Sequence, residues 1–287
     1  MISSEVMQRI KQIEIFTRRI MAHVQLGTIK PVKRGAGFEF DQIRNYEIGD
    51  DVRFIDWKGS ARSSQLLVRQ YLEERSRTII LCVDTSSSMF FSSSHQLKSE
   101  VAANVAATLG LVGAYSNDSV GLVLFSDTIE KIIPPKKGKN QAHFIMKTLF
   151  EYTSIFGKKS SLDVCAQYLQ SIPGRQALVF VVSDFFSHFD HALWRSVQHK
   201  KDIIAIRCVD TQEKTIDFRA LLSLQDTETH DCVMALLGSS SMKLALGGHD
   251  AAILESLKKA GIDTLELSTS KPFVEEIIAF FKRKKLS

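Results

Sequence analysis

The sequence predicts an α/β protein of the Rossmann-like kind, with a mostly parallel sheet and helices on both faces. Short, continuous apolar runs recur along the chain, as in strands that are buried on both faces. Helical patterns separate these runs, which is typical of the crossovers between parallel strands. Two of the runs end in a carboxylate, one at Asp84 and the other, after Ser183, at Asp184. Ligands gather outside the carboxyl ends of such strands, so we expect the functional site there.

Strands and helices alternate from residue 78 onward. The predicted strands cover 78–84, 119–125, 177–182, 202–209 and 263–267, with a short antiparallel edge strand at 128–133 that Pro134 and Pro135 end. The predicted helices cover 96–115, 141–152, 162–171, 190–199, 250–260 and 272–284. Between 211 and 247 the alternation lapses. This indicates a small β insertion, with a helical turn at 218–222 and a strand at 231–237 that pairs in a hairpin.

The first 76 residues form a separate part of the chain in this prediction. Apolar residues recur every three or four positions from 3 to 24, so we expect an amphipathic helix packed within the protein. Binding to a membrane surface is a minor alternative, because basic residues flank the apolar stripe. The segment 27–77 mixes acidic, basic and aromatic residues without a simple period. We predict a compact, ion-paired module that packs on the α/β domain (77–287) and buries Phe54 and Trp57.

The composition excludes several functional classes. The 287 residues are 44% hydrophobic and 24% charged, with a net charge of +5, as in an ordinary soluble globular protein. No concentrated basic face is evident, so no nucleic-acid partner is expected. The sequence shows neither a signal-peptide core nor a run of about twenty apolar residues, so we expect no membrane span. The four cysteines lack the spacing of a zinc site or a disulfide framework, which favours buried thiols and a cytoplasmic location.

The loop after the first predicted strand of the sheet carries the chemistry. Asp84, Ser86 and Ser88 place one carboxylate and two hydroxyls two residues apart. Such hard oxygen ligands suit Mg²⁺ or Mn²⁺. The alternative is a strand-end turn in which these side chains bond only to local backbone groups.

Several motifs, in a fixed order, identify a family resemblance. The Asp-x-Ser-x-Ser pattern at 84–88 resembles the metal-ion-dependent adhesion site of von Willebrand factor A domains. It is preceded by Gly-x-Gly-x-Glu-Phe (35–40), Arg-x-Tyr-x-x-Gly-Asp-Asp-x-Arg-x-Ile-Asp-Trp (44–57), Ala-Arg (61–62) and Leu-x-Val-Arg (66–69). This order resembles the bacterial DUF58 family, whose members are von Willebrand A-like proteins associated with MoxR-type AAA+ ATPases. The resemblance is strongest over 27–89.

The resemblance implies two further ligands. In von Willebrand A domains a threonine from a later loop joins the site, and the matching position here is Ser160, with Ser161 as the neighbouring alternative. A serine that caps the next helix would have the same spacing. Asp184 repeats the strand-end position of Asp84 and matches the fourth part of the site. Two such carboxylates would repel each other unless a cation lies between them.

We therefore expect a protein-binding module with a Mg²⁺ or Mn²⁺ site formed by Asp84, Ser86, Ser88, Ser160 and Asp184. The family resemblance implies a MoxR-type ATPase or its client as the partner, in protein assembly, metal insertion or stress response. A metal-dependent phosphoester hydrolase is the alternative, and it requires a base near Asp84, for which only Asp127 and His95 are close in sequence. A third possibility is a vestigial loop on a surface that binds its partner without metal.

Overall fold

The computed structural model describes residues 4–23, 34–35, 39–63, 65–72, 76–90, 92–93, 96–152, 158–173, 177–210, 220–225, 232–237 and 240–286. The chain divides into two compact units. The larger unit combines residues 1–25 with 77–287, and the smaller unit holds residues 26–76. The first helix is therefore part of the larger unit, although the sequence analysis had grouped it with the segment that follows.

The strands and helices are labelled in chain order. The strands are β1 (Arg34–Gly35), β2 (Glu39–Asn45), β3 (Leu67–Leu72), β4 (Thr78–Asp84), β5 (Ser119–Phe125), β6 (Ile129–Lys137), β7 (Ala177–Ser183), β8 (Asp202–Val209), β9 (Ala220–Gln225), β10 (Cys232–Leu237) and β11 (Asp263–Ser268). The helices are α1 (Ser4–His23), α2 (Trp57–Ser63), α3 (Lys98–Tyr115), α4 (Lys139–Glu151), α5 (Leu162–Ser171), α6 (His191–Gln198), α7 (Ser240–Lys259) and α8 (Phe273–Leu286).

The larger unit is built on a six-stranded sheet in the order β11-β8-β7-β4-β5-β6. All neighbouring strands are parallel except β6, which pairs antiparallel with β5 at the edge. The chain starts this sheet in the middle, at β4, builds one side with β5 and β6, and then builds the other from β7 onward. The switch between the two directions lies between β4 and β7, and in open α/β sheets this is where ligands bind. The predicted fold class is confirmed.

Helices cover both faces of this sheet. On one face, α5, α6 and α7 enclose a core that includes Cys82 and Val181. On the other face, α3 crosses β4 so closely that a Cβ added at Gly113 would lie 2.6 Å from Ile79 Cδ1. Helix α8 shares that face, since the rings of Phe281 and Phe180 lie 6.3 Å apart. None of the helices in the described part of the chain is long and apolar enough to span a bilayer.

The amphipathic helix α1 packs within the larger unit, as the sequence predicted. Its buried stripe includes Ile10, Ile13 and Ile20. The Phe16 ring meets that of Phe273 on α8 edge to face, with 5.4 Å between the ring centroids. Arg9 donates a hydrogen bond of 2.8 Å to Glu100 on α3. The apolar stripe therefore covers the helical layer, which leaves the membrane-surface alternative without support.

The smaller unit is ion-paired, as predicted. Its sheet has the order β1-β3-β2, with both pairs antiparallel. Each of the three acidic residues in the Gly-Asp-Asp and Ile-Asp-Trp motifs forms an ion pair with an arginine. Asp50 accepts two hydrogen bonds, of 2.6 and 2.7 Å, from Arg44. Asp51 pairs with Arg53 at 2.6 Å, and Asp56 pairs with Arg69 at 3.1 Å. Asp56 also accepts from the Gly59 amide and so caps α2. The prediction that Trp57 is buried is wrong, because this residue is 68% exposed, whereas Phe54 is half-buried.

Several element boundaries and one predicted turn differ from those expected from the sequence. Strand β6 continues through Pro134 and Pro135 to Lys137. Prolines occur on edge strands and at bulges, and the pairing of β6 with β5 shifts register at this place, between Val120 and Leu122. Helix α7 begins at Ser240, ten residues before the predicted start. Strands β9 and β10 form the hairpin expected in the insertion. The predicted helical turn at 218–222 is wrong where it is described, since 220–222 belong to β9, and its first two residues lie outside the described residues.

Candidate metal centre

Asp84 is the last residue of β4, and three serine side chains gather near it. Asp84 is 1% exposed, and its Oδ2 accepts hydrogen bonds from Ser160 Oγ at 2.8 Å and from Ser183 Oγ at 2.6 Å. Its Oδ1 accepts from the Ser86 amide at 2.9 Å. The Ser86 and Ser88 hydroxyl oxygens lie 3.2 Å apart. Four of the five residues expected in a metal site are thus linked by direct hydrogen bonds.

Backbone hydrogen bonds between neighbouring loops hold this arrangement. Thr85 donates from both its amide and its hydroxyl to the Phe125 carbonyl, which ties the loop to the end of β5. The Ser87 amide donates to the Lys158 carbonyl at 3.0 Å, and the Ser161 amide donates to the Ser126 carbonyl at 3.0 Å. These bonds align the segment before α5 with the loop after β4. They bring the Ser160 hydroxyl, rather than that of Ser161, to Asp84.

Asp184, the fifth expected residue, directly follows β7 and is engaged by a lysine. Lys98 Nζ donates to Asp184 Oδ2 at 3.0 Å. The pair is fully enclosed, with side-chain exposures of 1% for Lys98 and 0% for Asp184. Asp184 Oδ1 accepts from the Phe186 amide at 3.2 Å, and its backbone carbonyl accepts from Arg207 Nε at 3.3 Å. The cation that the two carboxylates require is thus supplied, in part, by the chain itself.

Burial and the nearby carboxylates shift the pKa values of ionisable groups at this site. Burial is the largest cause, and the nearby charge of Asp184 the second, that raises the pKa of Asp84 from 3.8 to about 6. The hydrogen bonds from Ser183 and Ser86 lower this pKa and so oppose the rise.

The buried cysteines are thiols. Burial, and to a smaller extent Asp184, raise the pKa of Cys208 to about 12, so this thiol stays protonated. Cys82, Cys165 and Cys208 are buried free thiols, as predicted for the cysteines inside the sheet region.

The donor set fits a hard divalent cation in its chemistry. Carboxylate and hydroxyl oxygens are the ligands that Mg²⁺ and Mn²⁺ prefer. In the described part of the chain, no group of three or more His, Cys, Asp and Glu residues could hold a metal ion. A cation here would therefore depend on two carboxylates, Asp84 and Asp184, together with serine hydroxyls. Lys98 already donates to Asp184 Oδ2, so the ammonium and a cation would compete for this carboxylate.

The hydrolase alternative gains no support from the candidate bases near Asp84. Asp127, one of two candidate bases, is exposed and accepts a hydrogen bond from its neighbour Ser126. His95, the other candidate, lies outside the described residues. The cavity that reaches Asp84 holds about 160 Å³. This is well below the roughly 300–1,000 Å³ of small-molecule sites.

Sequence reasoning missed three residues at this edge of the sheet. Lys98 left a signal, because a lysine in the first turn of an apolar helix opposes the helix dipole and needs an anionic partner. Ser183 was seen only as the end of its strand. Asp210 directly follows β8 as Asp184 follows β7, so the same pattern identifies it. It is fully buried and accepts from the Ser93 amide at 2.8 Å and from Thr269 Oγ1 at 3.1 Å.

The chain is similar to several known proteins. The chain is 23% identical over 254 residues to the uncharacterized protein Rv1480 of Mycobacterium tuberculosis, and the match covers 86% of this chain and 79% of that protein. The structure of BatB from Bacteroides thetaiotaomicron is similar at 15% identity and a TM-score of 0.48, over 74% of this chain and 100% of that one. The SpRpn10 VWA domain is similar at 9% identity and a TM-score of 0.39, over 71% and 94% of the two chains.

These structural similarities are too distant to support the fold assignment, which rests on the order and direction of the strands in the sheet. The family is shown by sequence. The model of the family described as "Protein of unknown function DUF58" matches residues 42–245, from β2 of the smaller unit into α7 of the larger one. More than half of the chain is matched, and the chain belongs to the DUF58 family.

Proposed function

We propose that this protein is a protein-binding module whose site at the carboxyl ends of β4 and β7 takes Mg²⁺ or Mn²⁺. The observation that supports this most directly is the convergence of Ser160, Ser86 and Ser88 near a buried Asp84 at the switch point of the sheet. The proposed ligands are Asp84, Ser86, Ser88, Ser160 and Asp184, in part through water. When bound, the cation would supply a Lewis-acidic position that an oxygen of the partner could fill.

The charges at this site favour an acidic partner group. With Asp84 and Asp184 ionised and Lys98 protonated, the three side chains carry a net charge of −1. A divalent cation would change the net charge to +1, and a carboxylate from the partner would neutralise it. Burial strengthens this effect, because charges interact more strongly away from water.

The proposed partner is a MoxR-type AAA+ ATPase or its client protein, on the basis of the family resemblance. The module would act with that ATPase in protein assembly, metal insertion or stress response. We further propose a cytoplasmic location, since buried, unpaired thiols suit a reducing compartment.

Two binding experiments test the proposal. In the first, Mg²⁺ and Mn²⁺ are titrated calorimetrically into the wild-type protein and Asp84→Asn. In the second, a MoxR-type ATPase from the same genome is immobilised, and binding of the protein is measured in Mg²⁺ and in EDTA. Asp127→Asn is the matched control, because Asp127 is also a strand-end aspartate at this edge but is exposed and outside the serine cluster.

We expect saturable metal binding and metal-dependent capture of the ATPase by the wild type and by Asp127→Asn. Asp84→Asn should weaken both at least about tenfold, since it removes one charged ligand. Capture that is equally strong in EDTA would show that the surface binds without metal. Absence of metal binding by the wild type, with or without the ATPase, would contradict the metal-dependent part of the proposal.

A further inference from the structure

Lys98 is the feature of this site that the proposed function does not use. Its side chain extends from the first turn of α3 and is 1% exposed. Charged lysines are almost never buried to this extent unless they are paired, because removal from water is costly. The structure places its ammonium 3.0 Å from Asp184 Oδ2 and 5.4 Å from the centre of the Phe186 ring. The lysine is thus held at the carboxyl-end edge of the sheet by the Asp184 carboxylate and the face of the Phe186 ring.

The helix makes this position unfavourable for a cation. The amino end of α3 carries the positive end of the helix dipole, which repels an ammonium group in the first turn. Asp184 must compensate both this repulsion and the loss of hydration. Another basic side chain at this edge, Arg207, forms ion pairs with Asp250 and Glu266 and donates from Nε to the backbone carbonyl of Asp184. Lys98, by contrast, pairs directly with the side-chain carboxylate of this proposed metal ligand.

We infer that Lys98 is an internal competitor of the divalent cation: its ammonium holds Asp184 in the metal-free protein, and metal binding must displace it. This inference rests on the proposed metal site and specifies what sets its affinity. A divalent cation that binds Asp184 breaks the hydrogen bond from Lys98 and brings a second positive charge close to the ammonium. Both effects weaken metal binding. The lysine thus neutralises the charge of Asp184 until a metal ion, assisted by a partner carboxylate, outcompetes it.

The test is a calorimetric titration of Mn²⁺ into four full-length proteins. Lys98→Gln removes the charge but keeps a hydrogen-bond donor for Asp184, and Lys98→Arg keeps the charge. Lys158→Gln is the matched control, because Lys158 is a partly buried lysine near the same loops that pairs with Glu130 at 2.5 Å rather than with a proposed ligand.

Lys98→Gln should bind Mn²⁺ on the order of 10- to 100-fold more tightly than the wild type, as expected for loss of one charge-assisted hydrogen bond. Lys98→Arg should remain as weak as the wild type, and Lys158→Gln should differ from it by no more than about twofold. Equal affinities of Lys98→Gln and wild type would overturn the inference and leave the metal site in place. No binding by either protein would overturn both. An equal gain in Lys158→Gln would show a general charge effect and overturn the role of Lys98.

A second measurement needs no substitution at Lys98. In wild-type protein with ¹⁵N-labelled lysine, a buried ammonium held by a carboxylate gives its own Nζ signal in NMR spectra. Titration with Mg²⁺ should shift the Lys98 signal, with the same midpoint as metal binding, and leave the Lys158 signal unchanged. Metal binding with an unchanged Lys98 signal would contradict the competition.

Discussion

The raised pKa of Asp84 gives the protein a pH-dependent stability that can be measured without any partner. Burial and Asp184 raise this pKa from 3.8 to about 6. Each pKa unit corresponds to about 1.4 kcal/mol, so ionising Asp84 costs the folded state about 3 kcal/mol relative to the unfolded chain. The group stabilises the fold fully well below its unfolded pKa of 3.8, where both states hold the proton. That contribution is lost as the pH rises through about 6.

Asp84→Asn isolates this effect, because asparagine does not titrate while the other groups remain. In EDTA, the free energy of unfolding of the wild type minus that of the variant should fall by about 2.5 kcal/mol between pH 4 and pH 7, because part of the loss already occurs below pH 4. Urea unfolding at 25 °C measures both values. Trp194 is a suitable probe of the larger unit, because it is 1% exposed and its ring stacks on Phe189. Both proteins should carry Trp57→Phe, so that the exposed second tryptophan adds no signal.

Metal provides the complementary measurement. A divalent cation bound to the folded protein stabilises it by mass action, and the gain depends on the ionised form of Asp84. Excess Mg²⁺ should therefore raise the unfolding free energy of the wild type at pH 7 more than at pH 5, and should raise that of Asp84→Asn much less at pH 7. A wild-type-minus-variant difference that stays constant between pH 4 and pH 7 would refute the reasoning on burial and charge.

Two predictions concern the support around the site. Gly121→Ala should lower the free energy of unfolding by about 1–3 kcal/mol in urea denaturation. The new Cβ would lie 2.9 Å from the Ile133 carbonyl oxygen and 2.9 Å from Pro135 Cγ, both on the edge strand. Unchanged stability would contradict this close approach of β6 to Gly121. Asp210→Ala should cost about 1–3 kcal/mol and speed hydrogen exchange at 92–93, since that turn loses its carboxylate acceptor. Asp127→Ala, at an exposed strand end, should leave both quantities unchanged.

The parallel strands could be predicted from sequence because burial on both faces leaves a continuous apolar run. The bounds of β5 and α5 match the predicted residues, and those of β7 differ by one residue. The start of α7 could not be predicted in the same way. Gly247 and Gly248 signal a break, yet the helix continues through them, so the local signal was misleading.

The part of the site that could be predicted from the residue pattern is the part that lies at the ends of the apolar strands. Asp84 and Asp184 are visible because each directly follows an apolar run, and the sheet order brings such ends together. The ion pair between Lys98 and Asp184 joins residues 86 positions apart, and no local pattern specifies such a pair. The hydrogen bond from Ser160 to Asp84 spans 76 positions, and the family resemblance, rather than periodicity, identified it.

The antiparallel edge strand β6 has a consequence for how this protein meets other proteins. An open strand edge invites an incoming strand to extend the sheet, either from a partner or from another copy. In β6 the adjacent Pro134 and Pro135 have no N–H group, which interrupts the regular hydrogen-bond pattern that such an extension needs, and exposed lysines at 131, 136 and 137 add repulsion. The strand therefore acts as a gatekeeper against β-augmentation and edge-to-edge aggregation at this side of the sheet.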